Sequence, residues 1–127
     1  MGFAIAEAFA ERGANVTLIS GPVNLTTLKN VNRINVISAQ EMWQVSLESA
    51  VKNQIFIGCA AVADYRVAEV ADQKIKKSGD EISIKLIKNP DIISDVGHLK
   101  THRPFTVGFA AETQNVDTYA KDKLERK

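Results

Sequence analysis

Ile55-Phe56-Ile57-Gly58-Cys59-Ala60-Ala61 and Phe105-Thr106-Val107-Gly108-Phe109-Ala110-Ala111 are built alike, with branched and aromatic residues first and small residues last. Each leads straight into polar sequence, Val62-Ala63-Asp64-Tyr65-Arg66 after the first and Glu112-Thr113-Gln114-Asn115 after the second. Short apolar runs of this kind read as buried strands of a parallel sheet. Their glycines and alanines fall at the carboxyl ends, where open α/β sheets hold ligands and where a larger side chain would keep a ligand off the backbone. The pair therefore reads as the floor of a small-molecule site.

Outward from these runs, helix and strand patterns alternate. Met1, Ile5, Ala8 and Phe9 share one helical face, and Arg12-Gly13-Ala14 supplies a glycine stop before a strand over Val16 to Ile19. Ser20-Gly21-Pro22 breaks that strand, Val31 to Ile37 reads as another, and Ser38 or Ala39 opens a helix carrying Met42, Val45, Leu47 and Ala50. Tyr65 to Gly79 is rich in lysine and poor in large apolar residues, as in an exposed arm, and the alternation of Ile82, Ile84 and Leu86 predicts a half-solvated strand. Asn89-Pro90-Asp91 reads as a helix start, with Asn89 as N-cap and proline in the first turn, leading through Ile93 and Val96 toward Leu99. Thr113 or Asn115 can cap a last helix that keeps Lys121, Lys123 and Lys127. The expected fold is one α/β domain over 1–127, a Rossmann-like three-layer sandwich with a mostly parallel sheet and an exposed flap at about 65–86. The sheet pattern opens on a helix and closes on one, so the domain is expected to be truncated at both ends.

Composition narrows the function classes. The chain has 127 residues, 45% hydrophobic and 24% charged, enough for one buried core and far from disordered or fibrous compositions. A net charge of +1 gives no general pull toward nucleic acid or membrane, so anion binding must come from local lysine clusters. Cys59 is the single cysteine and lies in an apolar run, which excludes an intrachain disulfide and a cysteine-rich zinc site. No apolar stretch reaches membrane-span length and no secretory leader pattern opens the sequence, so a cytoplasmic protein is expected.

Several residues carry candidate chemistry. Asp64 follows a strand end and suits a ribose or base, and Arg66 suits an anion. Lys74, Lys76 and Lys77 put mobile positive charge on the arm, which suits a triphosphate, although a solvated loop has the same composition. Asn89 to Ile92 offers backbone N–H groups at a helix start, where anions and polar base edges are favoured. Tyr119, Lys123 and Lys127 recur at helical spacing, as a basic lining or an exposed stripe. His98 and His102 lack partners at metal-ligand spacing.

The run Gly58-Cys59-Ala60-Ala61-Val62-Ala63-Asp64-Tyr65-Arg66, then Lys74-Ile75-Lys76-Lys77, Lys88-Asn89-Pro90-Asp91-Ile92, Val107-Gly108-Phe109-Ala110-Ala111-Glu112-Thr113 and the terminal lysines, resembles a known family. It is similar to the synthetase domain of the bacterial bifunctional phosphopantothenoylcysteine decarboxylase and synthetase, the DNA/pantothenate metabolism flavoprotein. The resemblance covers nearly the whole chain. It implies a coenzyme A pathway ligase that joins 4'-phosphopantothenate to L-cysteine with CTP and magnesium through an acyl-cytidylate. It implies Gly58, Cys59, Ala60, Asp64, Lys74, Asn89, Pro90, Asp91, Ile92, Phe109, Lys123 and Lys127 as CTP contacts, with Lys74 catalytic because a lysine on a closing flap can neutralise departing pyrophosphate. It further implies a homodimer, no FMN in this domain, and a flavin-dependent decarboxylase fused to it in the parent chain. An asparagine that the family uses to turn over the acyl-cytidylate precedes the position of Met1. CTP binding without full turnover is therefore expected of these residues.

Two other readings compete. Ala4 to Leu18 resembles the opening of short-chain dehydrogenases, and Tyr119-Ala120-Lys121-Asp122-Lys123 fits their Tyr-x-x-x-Lys pattern. Against it, Thr106 is the sole hydroxyl on the preceding strand, and Ser20-Gly21-Pro22 offers no acidic residue for the ribose of NAD. The second reading is a non-catalytic nucleotide-binding or assembly module.

Overall fold

The computed structural model describes every residue of the chain except Thr27 and Ser78. Helix α1 spans Gly2–Glu11 and ends where the sequence places its glycine stop: Gly13 takes φ of +87°, and the N–H groups of Gly13 and Ala14 close back on Ala10 and Phe9. Strands β1 (Val16–Ser20) and β2 (Val31–Asn35) pair in parallel, Val16 opposite Val31. Helix α2 (Ala39–Ala50) is capped by the Ser38 hydroxyl, which accepts from the Glu41 N–H at 3.1 Å, while the Glu41 carboxylate accepts from the Ile37 N–H.

Strands β3 (Ile55–Gly58) and β6 (Phe105–Gly108) form the second parallel pair, with Gly58 opposite Gly108. The two opening runs are thus neighbours, side by side and in register. Between them the chain makes a small antiparallel ribbon, β4 (Tyr65–Val67) against β5 (Leu86–Lys88), then helix α3 (Ile92–Gly97). Helix α4 (Val116–Arg126) closes the chain and buries no residue. The architecture is mixed α/β and Rossmann-like. Among the described residues, however, the expected sheet stands as two separate parallel pairs, because β1 and β3 make no ladder with each other.

The core lies where α2 meets α3. Ala50, Ile92 and Val96 are buried, with Trp43, Leu47, Phe56 and Val62 packed around them. The Trp43 indole N–H donates to Asp95 at 2.7 Å, tying the two helices at their outer edge. Ile93 of α3 rests on Gly58 and Gly108, and a methyl added to Gly58 would stand 2.8 Å from the Ile93 side chain. The glycines at these strand ends therefore let a helix sit directly on the sheet.

Three expectations change. Ile82 and Ile84 are exposed and outside any strand, since their partner ribbon runs out at Leu86; only Leu86 to Lys88 pair. The strand from Val31 stops at Asn35, and Val36 returns a single bond to Ser20. Asn89 is not the N-cap of α3. Asp91 is, its carboxylate accepting from the Ser94 N–H at 3.1 Å, so Pro90 lies ahead of the helix rather than in its first turn.

Candidate functional site

A cleft of about 850 Å3 lies between the two parallel pairs, and its lining includes their carboxyl ends. Gly58, Cys59 and Ala60 form one lip as β3 gives out, and Asp64 follows at the start of the ribbon. Lys88, Asn89, Pro90, Asp91 and Ile92 form the facing lip, and Lys127 reaches in from α4. Sequence positions 24 to 34 apart are thus brought together by the β3 exit and the β5-to-α3 connection.

Asn89 holds these lips together. It is 8% exposed; its backbone N–H donates to Asp64 O at 2.7 Å, its side-chain amide donates to Ala63 O at 2.8 Å, and its carbonyl oxygen accepts from Arg66 at 3.2 Å. Arg66, read from sequence as an anion contact, spends the same nitrogen on Lys88 O and Asn89 instead. The asparagine therefore fixes where Asp64 stands, a role that the sequence pattern of a helix cap conceals. Its amide can donate and accept at once, which a carboxylate cap cannot.

Asp91 carries two partners, the Ser94 N–H and the Lys127 ammonium. Partial burial works against its charge, but these partners, with Lys88 nearby, hold its carboxyl below the usual carboxylate range. Burial pushes the Cys59 thiol up, so at neutral pH it is a thiol and not a nucleophilic thiolate. Lys123 pairs with Glu112.

The remaining expected residues lie apart from the cleft lining. Lys74 is exposed between the two strands of the ribbon, in a stretch without helix or strand. Phe109 is 51% exposed just past β6, and Lys123 stands on α4 outside the lining. Read from spacing as a basic lining or an exposed stripe, Lys123 and Lys127 are each held by a carboxylate, and of the two Lys127 lines the cleft. Sequence reasoning missed Lys88, Glu112 and Arg66's bond to Asn89; the antiparallel pairing of Arg66 with Ile87 brings Lys88 and Asn89 near Arg66, while Glu112 pairs with Lys123 of α4. Among the described residues no three of His, Cys, Asp and Glu gather as a metal cluster.

The parallel pairs, the small residues at their carboxyl ends and the polar lips above define an α/β domain whose candidate ligand site is at the strand ends. The chain belongs to the DNA/pantothenate metabolism flavoprotein C-terminal domain family, which matches residues 1–127. It is 94% identical over 127 residues to the coenzyme A biosynthesis bifunctional protein CoaBC of Haemophilus influenzae and 59% identical over 130 residues to that of Escherichia coli K12. All of this chain is covered in both matches, but it spans only 32% of either relative's length. The crystal structure of a CoaBC C-terminal domain superposes with a TM-score of 0.83 at 37% identity, over 98% of this chain and 57% of that one. The short-chain dehydrogenase reading falls with this assignment. No helix among the described residues is long and apolar enough to cross a membrane.

Proposed function

We propose that the chain is the ligase part of a coenzyme A biosynthesis protein, condensing 4'-phosphopantothenate with L-cysteine at the expense of CTP. The carrying observation is the convergence of Gly58 to Ala60, Asp64, Asn89 to Ile92 and Lys127 on one cleft at the strand ends, in a chain of this family. A second hollow of about 530 Å3 shares Ala60, Val62, Ala63 and Asn89 with the first, which suits a reaction that joins two molecules.

In this reading the substrate carboxylate attacks the α-phosphorus of CTP, the bond to the β-phosphate oxygen breaks, and pyrophosphate leaves. The cysteine amine then attacks the acyl carbon, loses a proton, and expels CMP. Small residues at Gly58 to Ala60 admit the nucleotide to the backbone, and Asp64, positioned by Asn89, accepts hydrogen bonds from a ribose. The Asn89 to Ile92 backbone reads the base edge, with Phe109 beside it. Lys127 and Lys123 exchange their carboxylates for phosphate oxygens, and the exposed Lys74, between β4 and β5, closes over the phosphates as charge shifts to pyrophosphate. Mg2+ is commonly held by one or two carboxylates plus substrate phosphates, so the lack of a described three-residue cluster fits an ion that arrives with the triphosphate. The protein works in the cytoplasm as a homodimer, in which the apolar side chains Val67, Ile82, Ile84 and Leu86, exposed here, meet a second copy. In the parent chain a flavin-dependent decarboxylase accompanies it.

Calorimetric titration with CTP and Mg2+, alongside ATP, NADPH and a Lys74→Gln variant, tests the reading. CTP-selective binding weakened by Lys74→Gln is expected. Binding of NADPH with none of CTP overturns it. CTP-selective binding supports the reading even without turnover, and a monomer by light scattering at high concentration removes the dimer.

A further inference from the structure

Helix α4 is held by charge rather than by a core. It buries no residue, and Asn115 ahead of it takes φ of +47° and makes no side-chain cap. Its 11 residues fall short of the roughly 12–15 at which an isolated helix is even marginal in water. Among the described residues, two ion pairs tie its side chains to others: Lys123 with Glu112, and Lys127 with Asp91. Glu112 belongs to the connection that leads into α4, whereas Asp91 lies 36 positions before Lys127 on another helix. Asp91 is therefore the tether that joins α4 to the body of the domain.

The two oxygens of Asp91 divide their work. Oδ1 accepts from the Ser94 N–H and caps α3, while Oδ2 accepts from the Lys127 ammonium. Capping needs an oxygen and not a charge, since asparagine caps as well as aspartate. The charge is left to serve Lys127. It stands on a fixed post, because Ile92 and Val96 of α3 lie in the core and Ile93 rests on Gly58. Both partners line the cleft and both are more than a third exposed, so the pair is screened by salt and open to exchange with another anion.

We propose that Asp91 is a built-in competitor for Lys127, a latch that holds α4 until a polyphosphate takes the lysine from it and α4 docks on the ligand instead. The proposal rests on the reading of this cleft as a triphosphate site. A carboxylate offers one negative charge, whereas a polyphosphate offers several and is long enough to reach Lys123, one helical turn before Lys127. A ligand without phosphate does not compete. The latch thus lowers affinity for every ligand that engages Lys127, by the fraction of molecules in which the lysine is free. Once pyrophosphate has gone, the lysine returns to Asp91 and the remaining nucleotide is released.

The test is calorimetric titration of the parent, Asp91→Asn, Lys127→Gln and the double variant with CTP and Mg2+, with inorganic tripolyphosphate and with cytidine. Asp91→Asn keeps the cap and should bind CTP and tripolyphosphate about two- to fivefold tighter, the range that exposed ion pairs command, with cytidine unchanged. Beside Lys127→Gln that gain should vanish. Without ligand, backbone amides of α4 should exchange about two- to fivefold faster in Asp91→Asn, with those of α3 as in the parent. An equal gain in both backgrounds makes Asp91 a general charge and overturns the latch. Altered cytidine binding, unchanged exchange in α4, or tripolyphosphate bound by no variant overturns it too. If tripolyphosphate follows the expected pattern while CTP and cytidine do not bind, the latch stands and the nucleotide reading falls.

Discussion

Replacing Gly58 by alanine tests whether the strand-end glycines serve helix packing. An ideal methyl on Gly58 would stand 2.8 Å from both Cδ1 and Cγ1 of Ile93, well inside van der Waals contact, whereas one on Gly108 would stand 3.2 Å from Cδ1 and 3.8 Å from Cγ2. Neither glycine has positive φ, so alanine meets no backbone strain there and gains about 0.4–1 kcal/mol from a stiffer unfolded chain. Overpacking of this kind costs about 1–3 kcal/mol. Gly58→Ala should therefore lose about 1–2 kcal/mol net, and Gly108→Ala close to nothing. Urea unfolding of the two variants measures the difference. Ile93→Ala removes both clashing carbons, so the double variant Gly58→Ala with Ile93→Ala should be more stable than the separate losses predict, by about 1 kcal/mol or more. If Gly58→Ala is as stable as the parent, or its cost is unchanged beside Ile93→Ala, the packing argument is wrong and a role in ligand approach alone remains.

Asn89→Ala leaves the Ala63 carbonyl without its donor while keeping the backbone bond to Asp64, and should cost about 1–3 kcal/mol in urea unfolding, with weaker CTP binding because the residue before Asp64 loses its anchor. Asp91, with its carboxyl held low by Lys127 and the Ser94 N–H against the effect of burial, stabilises the fold above the ordinary carboxylate pKa and loses that contribution as pH falls through its own lower value. The stability gap between parent and Asp91→Asn, which keeps the cap, should be full at pH 6 and close in acid below about pH 4; a gap independent of pH removes the ion pair from the account. Cys59 should react with a disulfide reagent more slowly than a free thiol at pH 7.5, speed up in alkali, and be shielded by bound nucleotide; fast reaction at neutral pH would contradict its burial.

The strand runs, the glycine stop at Gly13 and the Ser38 cap were legible because each depends on residues within a few positions. The failures share a cause. Asn89-Pro90-Asp91 offers two capping side chains, and local preference ranks them nearly equal. The choice is made by Ala63 and Arg66, more than 20 positions away, which engage Asn89 and leave Asp91 to the helix. Ile82 and Ile84 alternate like a strand, yet a strand needs an edge to pair with, and β4 supplies only Tyr65 to Val67. The ion pairs of Lys123 and Lys127 depend on where α4 comes to lie, which no helical spacing encodes.

The same distinction separates two meanings of the small residues at the strand ends. Gly58 lies tightly under Ile93, so its size is required by α3, while Gly108 beside it has room for a methyl. Cys59 and Ala60, one and two residues further on, line the cleft and bear no such load, so their size matters to whatever enters its mouth. One short run thus serves packing with its glycine and approach with the residues after it. Because α3 begins at Asp91, the helix that Gly58 admits also sets the Asn89 to Ile92 lip. A larger residue at Gly58 would lift that lip away from Asp64, so stability and ligand affinity should fall together in Gly58→Ala. A larger residue at Ala60 should lower affinity while leaving the urea midpoint where it was. If Ala60→Val instead unfolds the protein as readily as Gly58→Ala, the division between packing and approach has been drawn at the wrong residue.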